Sequence, residues 1–269
     1  YWRKSCRKKI CPNMELNENY SQMNARTKSK TEFIKLCHEA VNCRECFRGS
    51  LKIQSPDING FNIAQPRWVG PSYWNAKPRI LIVMLNPGSG FARNNKTTRN
   101  LFKEFAISGN EKKLQAGLES QRKDMPYWGK SRQFLSFYKK MVPEKFIQED
   151  DNFRKDKIAF ANIAWCADKD NKHPQRMLNH CFKTKKYTKR LVEILKPDVV
   201  ILSGKDTHKY ADEIKKTLPD SVRIKTIHFA NRGSPVEKEK EQKRVKKKVI
   251  QTSRPTKNAH EKSQARSIK

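Results

Sequence analysis

The stretch RILIVMLNPGSG, residues 79–90, is an apolar run that ends abruptly in a turn of Asn, Pro and Gly. The run is short and rich in β-branched residues, so it predicts a buried β-strand. Helical patterns separate it from the segments that follow, and such alternation predicts a parallel sheet. We therefore expect an α/β protein, a three-layer α/β/α fold around a four-stranded parallel sheet. The other predicted strands are KIAFANIA at 157–164, DVVILSG at 198–204 and VRIKTIHF at 222–229.

The sequence outside these segments is polar and basic. Residues 1–30 lack hydrophobic periodicity and predict a disordered basic arm, and residues 236–269 predict a disordered basic tail. Residues 91–126 contain few strong apolar runs, so we interpret them as an insertion that is helical only in part, around 101–107. The expected folded domain therefore spans 31–235 and includes this insertion.

The chain has a strong excess of positive charge. Its 269 residues include 59 Lys and Arg against 27 Asp and Glu, a formal net charge of +32. Because the predicted domain is basic as well as its ends, the charge favours a polyanionic partner, and nucleic acid is the commonest one. No apolar run approaches the ~20 residues that span a bilayer, and no secretory leader pattern opens the sequence. We expect a cytoplasmic monomer that binds DNA and has no membrane partner.

The cysteines form two pairs with distinct spacing. Cys43 and Cys46 make a C-x2-C motif, and Cys166 and Cys181 are separated by fourteen residues. A single cysteine is usually an ordinary buried apolar residue. Two spaced pairs in a protein expected to be cytoplasmic favour metal ligands over disulfides. Four thiolates suit either zinc or an iron–sulfur cluster, and the residue types do not choose between them.

Polar residues lie where the predicted strands end, at Asn86, Asn162 and His228. Ligands of open parallel sheets bind at the carboxyl ends of the strands. A histidine there is often structural, but its ring can also donate a hydrogen bond to an oxygen that gains negative charge. The segment SGKDT at 203–207 hints at a phosphate loop, but Val199 stands where that motif requires glycine.

From Cys43 to Pro235, the order of these motifs resembles the uracil-DNA glycosylase superfamily. The cysteine layout is similar to its iron–sulfur, family 4-like branch. The resemblance implies a [4Fe–4S] cluster, with zinc as the alternative. Its ligands would be Cys43, Cys46, Cys166 and Cys181.

The segment Asn86-Pro87-Gly88 resembles the first active-site motif of the superfamily, although Met84 and Leu85 replace the Gly and Glu of the iron–sulfur branch. The resemblance implies that Asn86 positions the attacking water and that Gly88 borders the base. It also implies that the amide of Asn162 reads the Watson–Crick edge of the pyrimidine.

The remaining motifs match in part. PYWGKS at 126–131 is similar to the segment whose aromatic ring stacks on the flipped base. The resemblance implies that Tyr127 is the stacking residue, with Trp128 as the second candidate. The alternative is that both are ordinary core aromatics. His228-Phe229-Ala230 resembles the start of the last motif, and implies that His228 stabilises the departing base. The DNA-contacting loop would then contain Arg232, Gly233 and Ser234, and the wedge residue would be Arg232 or Val236.

The resemblance implies a monofunctional DNA glycosylase that flips out a pyrimidine and leaves an abasic site. Uracil is the first expectation, but Gly88 and Ser89 are small and leave room for a 5-substituted base. One alternative is an anti-phage glycosylase that excises a hypermodified cytosine. Two others are a non-catalytic nucleic-acid-binding module of the same fold and a protein whose cysteines hold structural zinc.

Overall fold

Four strands form one parallel sheet in the part of the chain that the computed structural model describes, which comprises residues 12–46, 51, 63–87, 96–125, 133–148, 150–168, 172, 174–230 and 233–252. The sheet order is β2-β1-β3-β4, and every neighbouring pair is parallel. Helices flank the sheet, so the predicted three-layer α/β/α fold is confirmed. The strands are β1 (Ile80–Met84), β2 (Ile158–Asn162), β3 (Val199–Ser203) and β4 (Val222–Thr226).

Helices supply the outer layers and the connections. Between them the described residues also form two short 3₁₀ helices, Tyr73–Asn75 and Asp150–Lys155, and a π-helical turn, His180–Thr184. None of the helices among the described residues is long and apolar enough to cross a membrane. The α-helices are α1 (Pro12–Val41), α2 (Lys96–Ser108), α3 (Glu111–Asp124), α4 (Gln133–Lys139), α5 (Gln175–Asn179), α6 (Tyr187–Leu195), α7 (Lys205–His208), α8 (Ala211–Thr217) and α9 (Pro235–Thr252).

The sheet register brings the loops after β1 and β2 together. All residues of β1, β2 and β3 are buried, as near-continuous apolar runs in a doubly covered parallel sheet should be. Met84 pairs with Asn162 at the carboxyl end of both strands. Beyond it, the amide of Ile163 donates to Met84 O at 2.8 Å and the amide of Ala164 donates to Leu85 O at 2.9 Å. The loops that carry Asn86 and Asn162 therefore remain side by side.

An unpredicted edge segment, residues 63–70, runs antiparallel beside β2. Val69 bridges to Ala159, and the amide of Phe160 donates to Trp68 O at 2.8 Å. At Gly70 an added Cβ would overlap the carbonyl group of Asp156, so only glycine fits this close approach. The segment closes the β2 edge of the sheet and brings new polar side chains to the site.

The region expected to be a partly helical insertion, 91–126, is more regular than predicted. Helices α2 and α3 pack on each other through Phe102, Phe105, Leu114 and Leu118, all of which are buried. Gly117 allows the ring of Phe102 to approach the α3 backbone closely. Because these apolar residues are spaced three to four apart, the two helices bury a shared face despite their many charged residues.

Both ends that the sequence predicts to be disordered are helical where the structure describes them. Residues 12–30 belong to α1, and residues 236–252 belong to α9. In α9, Gln242, Val245 and Val249 recur at helical spacing and are buried, so a narrow stripe of one polar and two apolar residues anchors an otherwise lysine-rich helix. Residues 1–11 and 253–269 lie outside the described residues.

Candidate active site

Asn86 lies two residues beyond β1 and has a buried amide. Both side-chain atoms, Oδ1 and Nδ2, are shielded from solvent and have no hydrogen-bond partner among the described residues. A buried amide without partners costs about 1–3 kcal/mol, so native proteins rarely keep one without a purpose. The position predicted to hold a water molecule is therefore also one where a polar ligand would be stabilised.

Asn162 is the last residue of β2, and both the oxygen and the nitrogen of its side-chain amide make hydrogen bonds. Its side-chain oxygen accepts hydrogen bonds from Arg67 Nε at 2.6 Å and Arg67 Nη2 at 3.0 Å, and its side-chain nitrogen donates to Ala161 O at 3.1 Å. This orientation of the amide is the one that chemistry allows, because a guanidinium only donates and a carbonyl only accepts. Thr188 Oγ1 also donates to the backbone oxygen of Asn162, which ties the loop to α6.

The sequence interpretation missed Arg67 and Gln65, which lie on the edge segment beside β2. Arg67 is 6% exposed, and burial lowers its pKa to about 9. Gln65 is 1% exposed, and neither atom of its side-chain amide has a partner among the described residues. Its backbone amide donates to Trp165 O at 2.7 Å, beside the loop that follows Asn162. The one available signal was polar residues between Ile63 and Val69, a segment with no strand pattern.

His228 lies half-buried two residues beyond β4. Its Nδ1 accepts a hydrogen bond from the amide of Ala230 at 3.3 Å, so in the neutral ring the proton is on Nε2. Gly204, at the end of β3, has φ +98°, and an added Cβ would lie 3.5 Å from His228 Cβ. His228 therefore lies against the ends of both β3 and β4, and its geometry makes Nε2 a hydrogen-bond donor.

A group of buried polar and aromatic side chains packs against the loop that contains His228. Ser203 Oγ lies 2.6 Å from the hydroxyl of Tyr138 and donates to Ile227 O at 3.1 Å. Burial raises the pKa of Tyr138, so its hydroxyl stays protonated and can donate to Ser203. The Phe229 ring packs edge-on against Phe134, with 5.0 Å between ring centroids. These contacts order residues 227–229 through the backbone of Ile227 and the ring of Phe229.

The structure thus places three of the predicted residues, Asn86, Asn162 and His228, along one edge of one sheet. Ser234 exchanges hydrogen bonds with Glu237 in a capping box that begins α9, so its hydroxyl caps a helix. Gly233 lies just before it. The other predicted contacts, Gly88, Tyr127 and Arg232, lie outside the described residues.

The four predicted cysteine ligands come together from three parts of the chain. The thiols of Cys46 and Cys166 share a hydrogen bond, which lowers the pKa of Cys46 and raises that of Cys166. Burial and the nearby Cys46 and Cys43 raise the pKa of Cys181 to about 12, although the amide of Trp165 donates to its sulfur at 3.4 Å. All four are free thiols. The motif spacing therefore does correspond to proximity in the fold.

The cysteine cluster has the donor chemistry of a thiolate ligand set, since free thiols lose their protons when a metal binds. Within the described ranges no three His, Cys, Asp or Glu side chains are arranged as a formed metal-ion site. Ion pairs brace the cluster: Lys185 lies 3.2 Å from Glu45, and Arg190 lies 2.7 Å from Glu39. The cysteines themselves join the end of α1 to the loop that follows β2, whereas the ion pairs join residues 39–45 to residues 185–190.

The structure therefore shows an α/β protein with polar side chains at the carboxyl edge of its parallel sheet and four cysteines close to one another. No protein-family model matches the sequence, and no curated protein matches it.

Proposed function

We propose that the protein is a monofunctional DNA glycosylase that flips a pyrimidine out of DNA, excises it and leaves an abasic site. The observation that carries the proposal is the position of Asn86, Asn162 and His228 at or just after the carboxyl ends of three strands of one sheet, where the amide of Asn86 is buried with no partner among the described residues. The formal charge of +32 supports a polyanionic substrate.

In this mechanism a water molecule attacks C1′ of the flipped nucleotide. The bond between C1′ and the base nitrogen breaks, and its electron pair leaves with the base. His228 Nε2–H donates to the pyrimidine O2 as negative charge develops there. The amide oxygen of Asn86 orients the water, which loses a proton to solvent as its oxygen bonds to C1′. Asn162 holds the edge of the base, and the departing base anion takes up a proton from solvent.

Asn86→Ala is expected to slow base release about 100-fold, because an attacking water that is no longer held in place reacts far less often. Single-turnover release from duplexes with uracil, a thymine mismatch or a modified cytosine, followed by alkaline cleavage of the abasic strand, measures this rate. DNA affinity should change little. Asn75→Ala, at an exposed asparagine in a 3₁₀ turn, is the matched control and should retain the wild-type rate.

Release of no base by the wild type would contradict the proposal. Tight, salt-sensitive DNA binding in the same experiment would then identify a non-catalytic nucleic-acid-binding module. Release of only a bulky, hypermodified cytosine would instead indicate an anti-phage role.

We further propose that Cys43, Cys46, Cys166 and Cys181 hold a [4Fe–4S] cluster, with zinc as the alternative. When bound, such a group supplies a structural cross-link between α1 and the loop after β2, and takes no part in the hydrolysis. The thiol hydrogen bond between Cys46 and Cys166 supports a shared site.

Cys166→Ser is expected to remove the broad visible absorbance of an iron–sulfur protein purified without oxygen, because one of the four thiolate ligands is lost. Absorbance and iron content per chain are the measurements. Cys37→Ala is the control: Cys37 is buried in α1 and lies outside the four, so this variant should keep its colour. A colourless wild type with bound zinc would select the alternative.

A further inference from the structure

We infer that Arg67 determines the base specificity of the proposed site by making Asn162 a hydrogen-bond donor only. The inference rests on the proposed function and names its substrate class: pyrimidines that offer an acceptor to Asn162, with no requirement for a proton on N3. Cytosine-type bases belong to this class together with uracil.

The first step is the geometry of the amide oxygen. An amide oxygen has two lone pairs. Arg67 directs two donors at that of Asn162, Nε at 2.6 Å and Nη2 at 3.0 Å. Both lone pairs are therefore used inside the protein. The side-chain nitrogen uses one of its hydrogens on Ala161 O at 3.1 Å, which leaves the second hydrogen for a ligand.

The second step is that this arrangement does not reverse when a base enters. Turning the Asn162 amide over would place its NH₂ group against the guanidinium, and donors would then face donors. Asn162 is 1% exposed and Arg67 6% exposed, so water cannot compensate either group. Leaving a buried, charged donor without its acceptor costs more than the ~1–3 kcal/mol of a neutral one.

The third step compares the bases. Uracil has a donor at N3 and an acceptor at O4, whereas cytosine has an acceptor at N3 and a donor at N4. An asparagine held with its oxygen toward N3 and its nitrogen toward O4 reads both uracil groups at once and rejects cytosine. A donor-only Asn162 matches either uracil O4 or cytosine N3. The other donor proposed for the site, His228 Nε2–H, would pair with O2, which the two bases share.

The test compares uracil with 3-methyluracil, which has a methyl group in place of the N3 hydrogen and keeps O4 as an acceptor, in the same duplex. Single-turnover release rates are measured for the wild type and for Arg67→Met, and the uracil to 3-methyluracil rate ratio of the variant is divided by that of the wild type. This double ratio cancels the different leaving-group abilities of the two bases. We expect it to be roughly 3 to 10, because the freed carbonyl oxygen gains one hydrogen bond to N3–H.

A double ratio of one in a folded variant overturns the inference and leaves Arg67 a structural role only. Circular dichroism and a thermal melt establish folding. If Arg67→Met does not fold, Arg67→Lys keeps a buried cation and frees one lone pair of Asn162. It should then shift the ratio in the same direction by a smaller factor, and a ratio of one again overturns the inference. A wild type that releases neither base contradicts the proposed function itself, which is a distinct result.

Discussion

Asp156→Ala is expected to lower the free energy of unfolding by about 3–5 kcal/mol, the usual result of removing one partner of a buried ion pair. Asp156 Oδ2 accepts from Arg122 Nε at 2.7 Å and from Trp68 Nε1 at 2.9 Å, and Oδ1 accepts from the amide of Gln148 at 2.7 Å. The side chains of Asp156 and Arg122 are 0% and 1% exposed. The substitution therefore strands a buried guanidinium and two further donors. Urea denaturation followed by circular dichroism measures the loss.

The double variant Asp156→Ala/Arg122→Met provides the control for that experiment. Burial raises the pKa of Asp156 and outweighs the opposite effect of Arg122, so forming the carboxylate inside the protein is costly. Replacing both members by uncharged residues removes that cost together with the attraction, and part of the lost stability should return. If the double variant is as unstable as the sum of Asp156→Ala and Arg122→Met measured separately, the two side chains do not act as a pair.

The sheet could be predicted from the sequence because each strand is a short apolar run buried on both faces. Runs such as ILIVM in β1 leave few other structures open. The helices α2 and α9 were harder to predict from the sequence. Their buried residues are isolated among lysines, and charge dominates the composition of both segments. There, three well-spaced buried side chains in each helix, two of them apolar, determine the structure, and an average over the segment hides them.

The site could be predicted only where a residue follows a strand. Asn86, Asn162 and His228 each lie at the end of a recognisable apolar run, so parallel topology alone brings them to one edge. Arg67 comes from a segment whose pairing with β2 depends on tertiary contacts, including the close approach at Gly70. No local pattern indicates that its guanidinium reaches the amide of Asn162. The donor-only character of Asn162 therefore follows from the structure and not from the motif.

His228→Ala is expected to lower the single-turnover rate of base release by about 10²–10³, the typical cost of losing one donor to a developing negative charge. The hydrogen bond from the amide of Ala230 to Nδ1 holds the proton on Nε2, so a neutral ring can already donate to the base oxygen. His228→Gln offers an amide N–H at a similar reach and should recover part of the rate. A variant without any donor should not.

A second histidine at the same end of the sheet provides a matched control for this experiment. His208 Nε2 lies 3.2 Å from Leu202 O and 3.0 Å from Thr226 O, so its ring is engaged by backbone carbonyls and serves the fold. His208→Ala should lower the melting temperature but leave the rate per folded molecule unchanged. Equal rate losses in the His208 and His228 variants, or a full rate in His228→Ala, would show that another group stabilises the departing base. If only His228→Ala loses rate and its DNA affinity is unchanged, the hydrogen bond from His228 stabilises the transition state and not the bound substrate.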